Sequence, residues 1–162
     1  MKKILFGLLI FSIIISCQSV PNKDQGLEYT EYINSKDLVE QVAEQYPSGQ
    51  KKAVVYRESD DVEQQPVKEV HFFENGNIQV EGTLLNGQRH GTWTFYHDNG
   101  KVWSTGKFIK GKSEGLFEIY DKKGQIKFKY HYKNDEIVKE EYFIDGKPYK
   151  TVDKKKTNDS HK

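Results

Sequence analysis

The hydrophobic and polar positions along this chain follow three rhythms, and each predicts a different element. The first is an apolar run from Ile4 to Ile15, interrupted only by Gly7 and Ser12. A spanning helix needs about 20 apolar residues to cross the bilayer core, so this run is too short to be one. The second rhythm covers Ser35 to Tyr46, where Leu38, Val39, Val42 and Tyr46 recur at three- and four-residue steps. That spacing predicts a short helix over 35–46, capped by Asn34 or Ser35 and stopped by Pro47 and Gly49. Between the two, residues 18–34 are polar and aperiodic and read as a flexible tether. From residue 47 onward the pattern alternates. Segments such as Thr92-Trp93-Thr94-Phe95-Tyr96 are short, β-branched and aromatic, and Asn, Asp and Gly separate them. Such runs are strands joined by tight turns.

The alternating region repeats. Gly76, Gly100 and Gly124 lie 24 residues apart, as do Gly82 and Gly106, Gly87 and Gly111, and Gly91 and Gly115. Large residues keep the same step: Phe72, Tyr96, Tyr120 and Ile144 form one column, and His71, Phe95, Ile119 and Phe143 the next. Each unit reads as two strands. In the middle unit a turn at His97-Asp98-Asn99-Gly100 leads to a strand from Lys101 to Ile109, then to a loop from Lys110 to Gly115. Links this short join antiparallel neighbours, because a parallel crossover takes a dozen or more residues. The predicted fold is all-β: an elongated single-layer antiparallel meander of 24-residue β-hairpin repeats, with one short N-terminal helix. Period two places Trp93, Phe95, Phe117 and Ile119 on one face and Thr94, Tyr96 and Tyr120 on the other. The helix over 35–46 is expected to pack on the sheet and help bury the Trp93 stripe. Residues 46–67 read as a degenerate first unit with an insertion at 59–66. In the last unit Gly82 and Gly106 give way to Tyr130, and Trp93 and Phe117 to Glu141, as in a capping repeat. A turn at Ile144-Asp145-Gly146 is expected to close the sheet.

Phe73-Glu74-Asn75-Gly76, Gly82, Asn86-Gly87, His90-Gly91-Thr92-Trp93 and Tyr96-His97-Asp98-Asn99-Gly100 together resemble the bacterial variant of the MORN repeat. The family pattern is an aromatic, a polar-Asn-Gly-Lys turn, a glycine, an Asn-Gly and a Gly-x-Trp. Residues 68–146 match it well and 46–67 weakly. Lys123-Gly124 and Asn134-Asp135 stand where the pattern has Asn-Gly. The resemblance implies an elongated sheet of stacked hairpins. Proteins carrying this repeat include antitoxins of toxin–antitoxin pairs and envelope lipoproteins. A toxin-neutralising antitoxin or immunity-like role therefore stands as the alternative to a binding or scaffold module.

The first sixteen residues read as an address. Lys2 and Lys3 precede the apolar run, and Ser16 follows it before a break, which is the layout of a secretory signal. Cys17 is the single cysteine of the chain, so no intramolecular disulfide can form. Ile14-Ile15-Ser16-Cys17 resembles the lipobox of bacterial lipoproteins. The resemblance implies cleavage before Cys17 and a diacylglycerol thioether on its sulfur, with an acyl group on the new amino terminus. Two or three such chains hold a protein to a bilayer stably, whereas one binds reversibly. Gln18, not Asp, follows the cysteine, and by the sorting rule of enteric bacteria that permits the outer membrane.

Composition refines this division. The chain is 35% hydrophobic, but eleven of its apolar residues fall in the first sixteen positions. The remainder is poor in Val, Ile and Leu and rich in Phe, Tyr and Trp, which excludes a thick core of aliphatic parallel strands and suits a thin aromatic sheet. The formal charge of +1 conceals −5 over residues 17–146 and +4 over the last sixteen. The domains expected are a signal peptide at 1–16, a lipidated N-terminus and tether at 17–34, the helix at 35–46, the repeats at 47–146 and a basic, disordered tail at 147–162. A folded part that is not basic argues against nucleic acid as a partner.

No catalytic constellation emerges. The five histidines lack zinc-ligand spacing and have no second cysteine. His71 sits in an otherwise apolar column and reads as half-buried packing, and His90 as a loop residue beside Gly91. The acid pairs Asp60-Asp61 and Glu140-Glu141 are adjacent, and on a strand adjacent residues face opposite ways. The expectation is a non-enzymatic protein without metal or cofactor beyond the covalent lipid on Cys17. Its partners would be the membrane and a protein, and its candidate binding surface Tyr96, Tyr120 and Trp103.

Overall fold

The computed structural model describes residues 26–60 and 65–154. One helix, α1 (Gly26–Asn34), precedes ten strands. They are β1 (Leu38–Gln45), β2 (Lys51–Glu58), β3 (Lys68–Phe72), β4 (Ile78–Leu85), β5 (Gln88–Tyr96), β6 (Val102–Ile109), β7 (Lys112–Tyr120), β8 (Ile126–Lys133), β9 (Glu136–Ile144) and β10 (Lys147–Asp153). They form one open antiparallel sheet in chain order, the single-layer meander that the 24-residue columns predict.

Two kinds of turn alternate along it. On one rim, Tyr46, Phe73, His97 and Asp121 each donate their N–H to the carbonyl four residues on, namely Gln50, Asn77, Lys101 and Gln125. Each of these turns has a glycine at positive φ, from 80° to 89°. On the opposite rim Asn86-Gly87, Lys110-Gly111 and Asn134-Asp135 form two-residue turns with both residues at positive φ. That turn matches the right-handed twist of the strands it joins. Asn134-Asp135 and Lys123-Gly124 thus keep the repeat geometry despite departing from its residue pattern. The asparagines also tie turn to turn: Asn75 Nδ2 donates to Asp98 O at 2.8 Å, and Asn99 Nδ2 to Lys122 O at 3.0 Å. The column ends at Lys123, the last turn of that kind; the next hairpin on the same rim is the shorter Asp145-Gly146.

The core lies on one sheet face. Trp93 is fully buried and pairs across the strands with Gly82 on one side and Gly106 on the other. Its ring fills the space that a side chain on Gly82 would need, and the Phe117 ring does the same above Gly106. Where Trp93 and Phe117 give way to Glu141, the glycine gives way to Tyr130, so the two columns change together. Phe108 meets Trp93 at 6.1 Å and Phe117 at 5.4 Å, both edge-on. Trp93 Nε1 donates to Thr83 O at 3.0 Å, and the Arg89 guanidinium lies 4.3 Å from the indole. Interlocked rings, backbone and one cation therefore bury the tryptophan without a second layer.

Several expectations need correction. Residues 38–45 form β1, not a helix, and the helix lies at Gly26–Asn34 inside the segment read as a tether. The spacing of Leu38, Val39 and Val42 is ambiguous between the two states. The open hydrogen-bonding edge of β2 decides it, reinforced by ion pairs from Lys51 to Glu40 and from Lys52 to Glu44. In α1, Tyr29 and Ile33 stand one turn apart and are 4% and 1% exposed. The Tyr29 hydroxyl donates to Leu84 O at 2.7 Å, and the Thr30 hydroxyl accepts the Thr92 N–H at 2.9 Å. α1 therefore covers Thr83, His90 and Thr92, the face opposite Trp93, and the Trp93 stripe buries itself. The last sixteen residues are not all tail: Lys147–Asp153 is β10, held by its ladder to β9, and Lys154 pairs with Glu140 at 3.2 Å. The turn at Asp145-Gly146 leads into β10 and does not close the sheet. The loop expected from Lys110 to Gly115 is only the turn Lys110-Gly111. Gly91 and Gly115 sit inside β5 and β7, at positive φ, where each strand bulges against its neighbour. Residues 1–16, Cys17 and the tail from 155 lie outside the described residues.

Candidate functional site

The Tyr96 and Tyr120 columns lie on the face that carries α1. Beyond the helix, β5, β6 and β7 form an open groove of about 670 Å³. Tyr96 and Tyr120 line its sides, Thr94, Val102 and Thr105 its floor, and Lys101 and Lys123 its mouth. Both tyrosines are held in place. The Tyr96 hydroxyl donates to Glu81 at 2.7 Å and the Tyr120 hydroxyl to Glu118 at 2.9 Å. Each carboxylate has a lysine besides: Lys68 lies 3.5 Å from Glu81, and Lys129 lies 2.8 Å from Glu118. Lys101 Nζ donates to Lys123 O at 3.1 Å, bracing the mouth across two turns.

The electrostatics follow from these contacts. Burial, then the bond to Glu81, pushes the Tyr96 phenol up to about 12. Burial and Glu118 push Tyr120 upward in the same way. The hydrogen bond from Lys129 holds the Glu118 carboxyl below the usual carboxylate range. At neutral pH the groove therefore presents neutral phenols. Tyr29, at the helix seat, is likewise raised to about 12, chiefly by burial. A raised phenol pKa stabilises the fold fully below the unfolded value of 10.0 and loses that contribution as pH climbs through the folded value. Melting temperature should thus be flat to about pH 10 and fall steeply toward pH 12, with phenolate absorbance at 295 nm lagging a model tyrosine. A normal tyrosine titration without loss of stability would contradict these placements.

The structure brings Tyr96 and Tyr120 together and sets Trp103 apart. Trp103 is 47% exposed, and its ring meets Phe95 at 6.2 Å and His97 at 6.4 Å, outside the groove. His90 is not a loop residue. It is buried under α1, with Tyr29 edge-on at 5.0 Å, and its Nδ1 accepts the Lys110 N–H at 3.2 Å. One repeat on, Glu114 accepts the Asn134 N–H at 3.0 Å, so both residues tie a strand to the next turn. His71 packs half-buried beside Glu69 at 3.6 Å. Among the described residues no group of three or more His, Cys, Asp or Glu could hold a metal ion. Sequence reasoning missed Lys101, Val102, Thr105 and Lys123 as site residues. A signal was present: in the 24-residue columns, Thr94 and Thr105 stand where the following unit has Glu118 and Lys129.

Residues 67–86, 89–110 and 113–134 each match the MORN repeat variant. They correspond to the hairpins β3–β4, β5–β6 and β7–β8, and the groove lies at the junction of the second and third. No curated protein matches the chain. Among solved structures it is similar to TarM, at 13% identity and a TM-score of 0.32, over 75% of this chain and 20% of that one. A variant of S. aureus TarM with fondaparinux, alpha-GlcNAc-glycerol and UDP matches at 12% identity and a TM-score of 0.34, over 76% of this chain and 21% of that one. The GtfA/B complex bound to UDP and GlcNAc matches at 12% identity and a TM-score of 0.29, over 72% of this chain and 24% of that one. The chain spans a quarter or less of those proteins, and likenesses at this level bear on neither its fold nor its chemistry. Among the described residues no helix is long and apolar enough to cross a membrane.

Proposed function

We propose that this is a lipid-anchored cell-envelope protein whose repeat sheet serves as a non-enzymatic binding or scaffold module. MORN repeats are generally modules of that kind. The observation that carries the binding role is the groove itself. Two tyrosines from successive repeats, each fixed by a carboxylate, flank an open cleft on the sheet face that also carries α1. Aromatic side chains with an apolar body and a polar tip are favoured at contact surfaces. The anchor rests on the signal-like segment and Cys17, and Gln18 favours the outer membrane.

Three measurements test this proposal. Cells fed labelled palmitate should label the parent chain, while a Cys17→Ala variant should take up none and should keep residues 1–16 by mass. A variant with the parent's label and mass would rule out lipidation at Cys17. Affinity capture from detergent-solubilised envelope should return a stoichiometric protein partner, less of it with Tyr96→Ala and Tyr120→Ala together. A partner that is toxic on its own, and is relieved by this chain, would instead make it an antitoxin. Turnover of a cell-wall or lipid substrate that is lost on changing His90 would overturn the non-enzymatic assignment.

A further inference from the structure

The groove lies where the row of residues across this sheet face carries two adjacent threonines. On the face of Tyr96 and Tyr120, Val70 pairs with Glu81, Thr94 with Thr105, and Glu118 with Lys129. These are one position in three successive units. In the first and third units a carboxylate stands there and receives a tyrosine hydroxyl, from Tyr96 to Glu81 and from Tyr120 to Glu118. The middle unit has two threonines, and the face opens above them. The rings on either side are held by hydrogen bonds to Glu81 and Glu118, which flank the two threonines. Neither Glu81 nor Glu118 lines it, and the charged side chains that do, Lys101 and Lys123, are both cations.

We propose that this groove seats an extended acidic segment of a protein partner. An apolar side chain enters between Tyr96 and Tyr120 onto Val102, and flanking carboxylates reach Lys101 and Lys123. The inference rests on the binding-module reading and names the partner's chemistry. Charge complementarity selects an anionic occupant, since both lining charges are positive and the nearby carboxylates are already neutralised by Lys68 and Lys129. The fixed tyrosines select an apolar side chain, because a held aromatic wall gains contact area with little further loss of conformational freedom. The threonine hydroxyls offer a donor and an acceptor to the segment's backbone.

The decisive variant is Thr94→Gln with Thr105→Gln, which fills the groove without adding a charge beside Glu81 and Glu118, the residues that face Thr94 and Thr105 across the flanking ladders. The lipidated full-length protein, in detergent, is presented with a display library of random heptapeptides and with an array of anionic saccharides. Acidic peptides with one large apolar residue should be enriched. The groove-filling pair should lower their retention at least tenfold at about 0.1 M salt, as should Lys101→Glu with Lys123→Glu, while Val39→Ala on β1 leaves retention within twofold. No enrichment, enrichment indifferent to the filling pair, or retention of saccharides alone would overturn the proposal. In cells, a photo-crosslinking residue at Thr105 should trap a partner through an acidic segment. Crosslinks only from position 103 would discard the groove and keep the binding module; crosslinks from neither would discard both.

Discussion

Trp93→Ala is expected to destabilise the sheet by about 3–5 kcal/mol, the usual cost of emptying a buried tryptophan site. Trp93 is the largest of the fully buried side chains among the described residues. Its loss removes the ring between Gly82 and Gly106, the bond from Nε1 to Thr83 O, and the surface on which Arg89 and Phe108 rest. A single layer has no second sheet to collapse into the gap. The neighbouring units depend on the same cluster, since in a repeat array each unit is completed by those beside it. Urea titration followed by circular dichroism should show a large fall in midpoint at constant slope. A shift below about 1 kcal/mol would mean that the aromatic row does not form the core.

Gly106→Ala tests the same row from the other side. A Cβ at this position would enter the Phe117 ring, and the ring is pinned by Phe108 at 5.4 Å and Tyr132 at 4.8 Å. Overpacking of this kind costs about 1–3 kcal/mol. The diagnostic result is its dependence on the ring. In a Phe117→Ala background the added methyl has room, so Gly106→Ala should cost little there. The double-mutant cycle should then yield a coupling of about 0.5–3 kcal/mol, as for residues in direct contact. Additive effects would show that the glycine serves backbone conformation alone. The last repeat supports the steric account, because it has lost the glycine, at Tyr130, together with the aromatic, at Glu141.

Much of this was legible in the chain. The 24-residue columns of Gly, Phe and Tyr determined a meander of hairpins, and period two assigned Trp93 and Tyr96 to opposite faces. Both are local properties, since a tight turn joins neighbours and a strand alternates whatever lies around it. The column pairing of Gly82 with Trp93 was also visible as spacing, though not its cause. What failed were segments whose state depends on a distant partner. Leu38–Gln45 has a helical spacing and becomes a strand because β2 offers an open edge. Residues 26–34 look like a tether, yet they form a helix because Thr83 and His90 leave a seat for Tyr29 and Thr30. Lys147 to Asp153 reads as a charged tail and pairs with β9.

The candidate site divides along the same line. Tyr96 and Tyr120 were chosen by column and face, and both line the groove. Trp103 was named with them, but the bulge between β5 and β6 sets its ring against Phe95 and His97, outside the groove. The groove itself could not be read from any one segment, because an opening is a missing side chain between present ones. The repeat, its turns and the two faces could be read from the chain, because they follow from local sterics and spacing. Which face the helix covers, how a one-layer sheet buries its tryptophan and where the repeat leaves a groove came from the assembled fold. Those depend on which residues, far apart in sequence, compete for the same space.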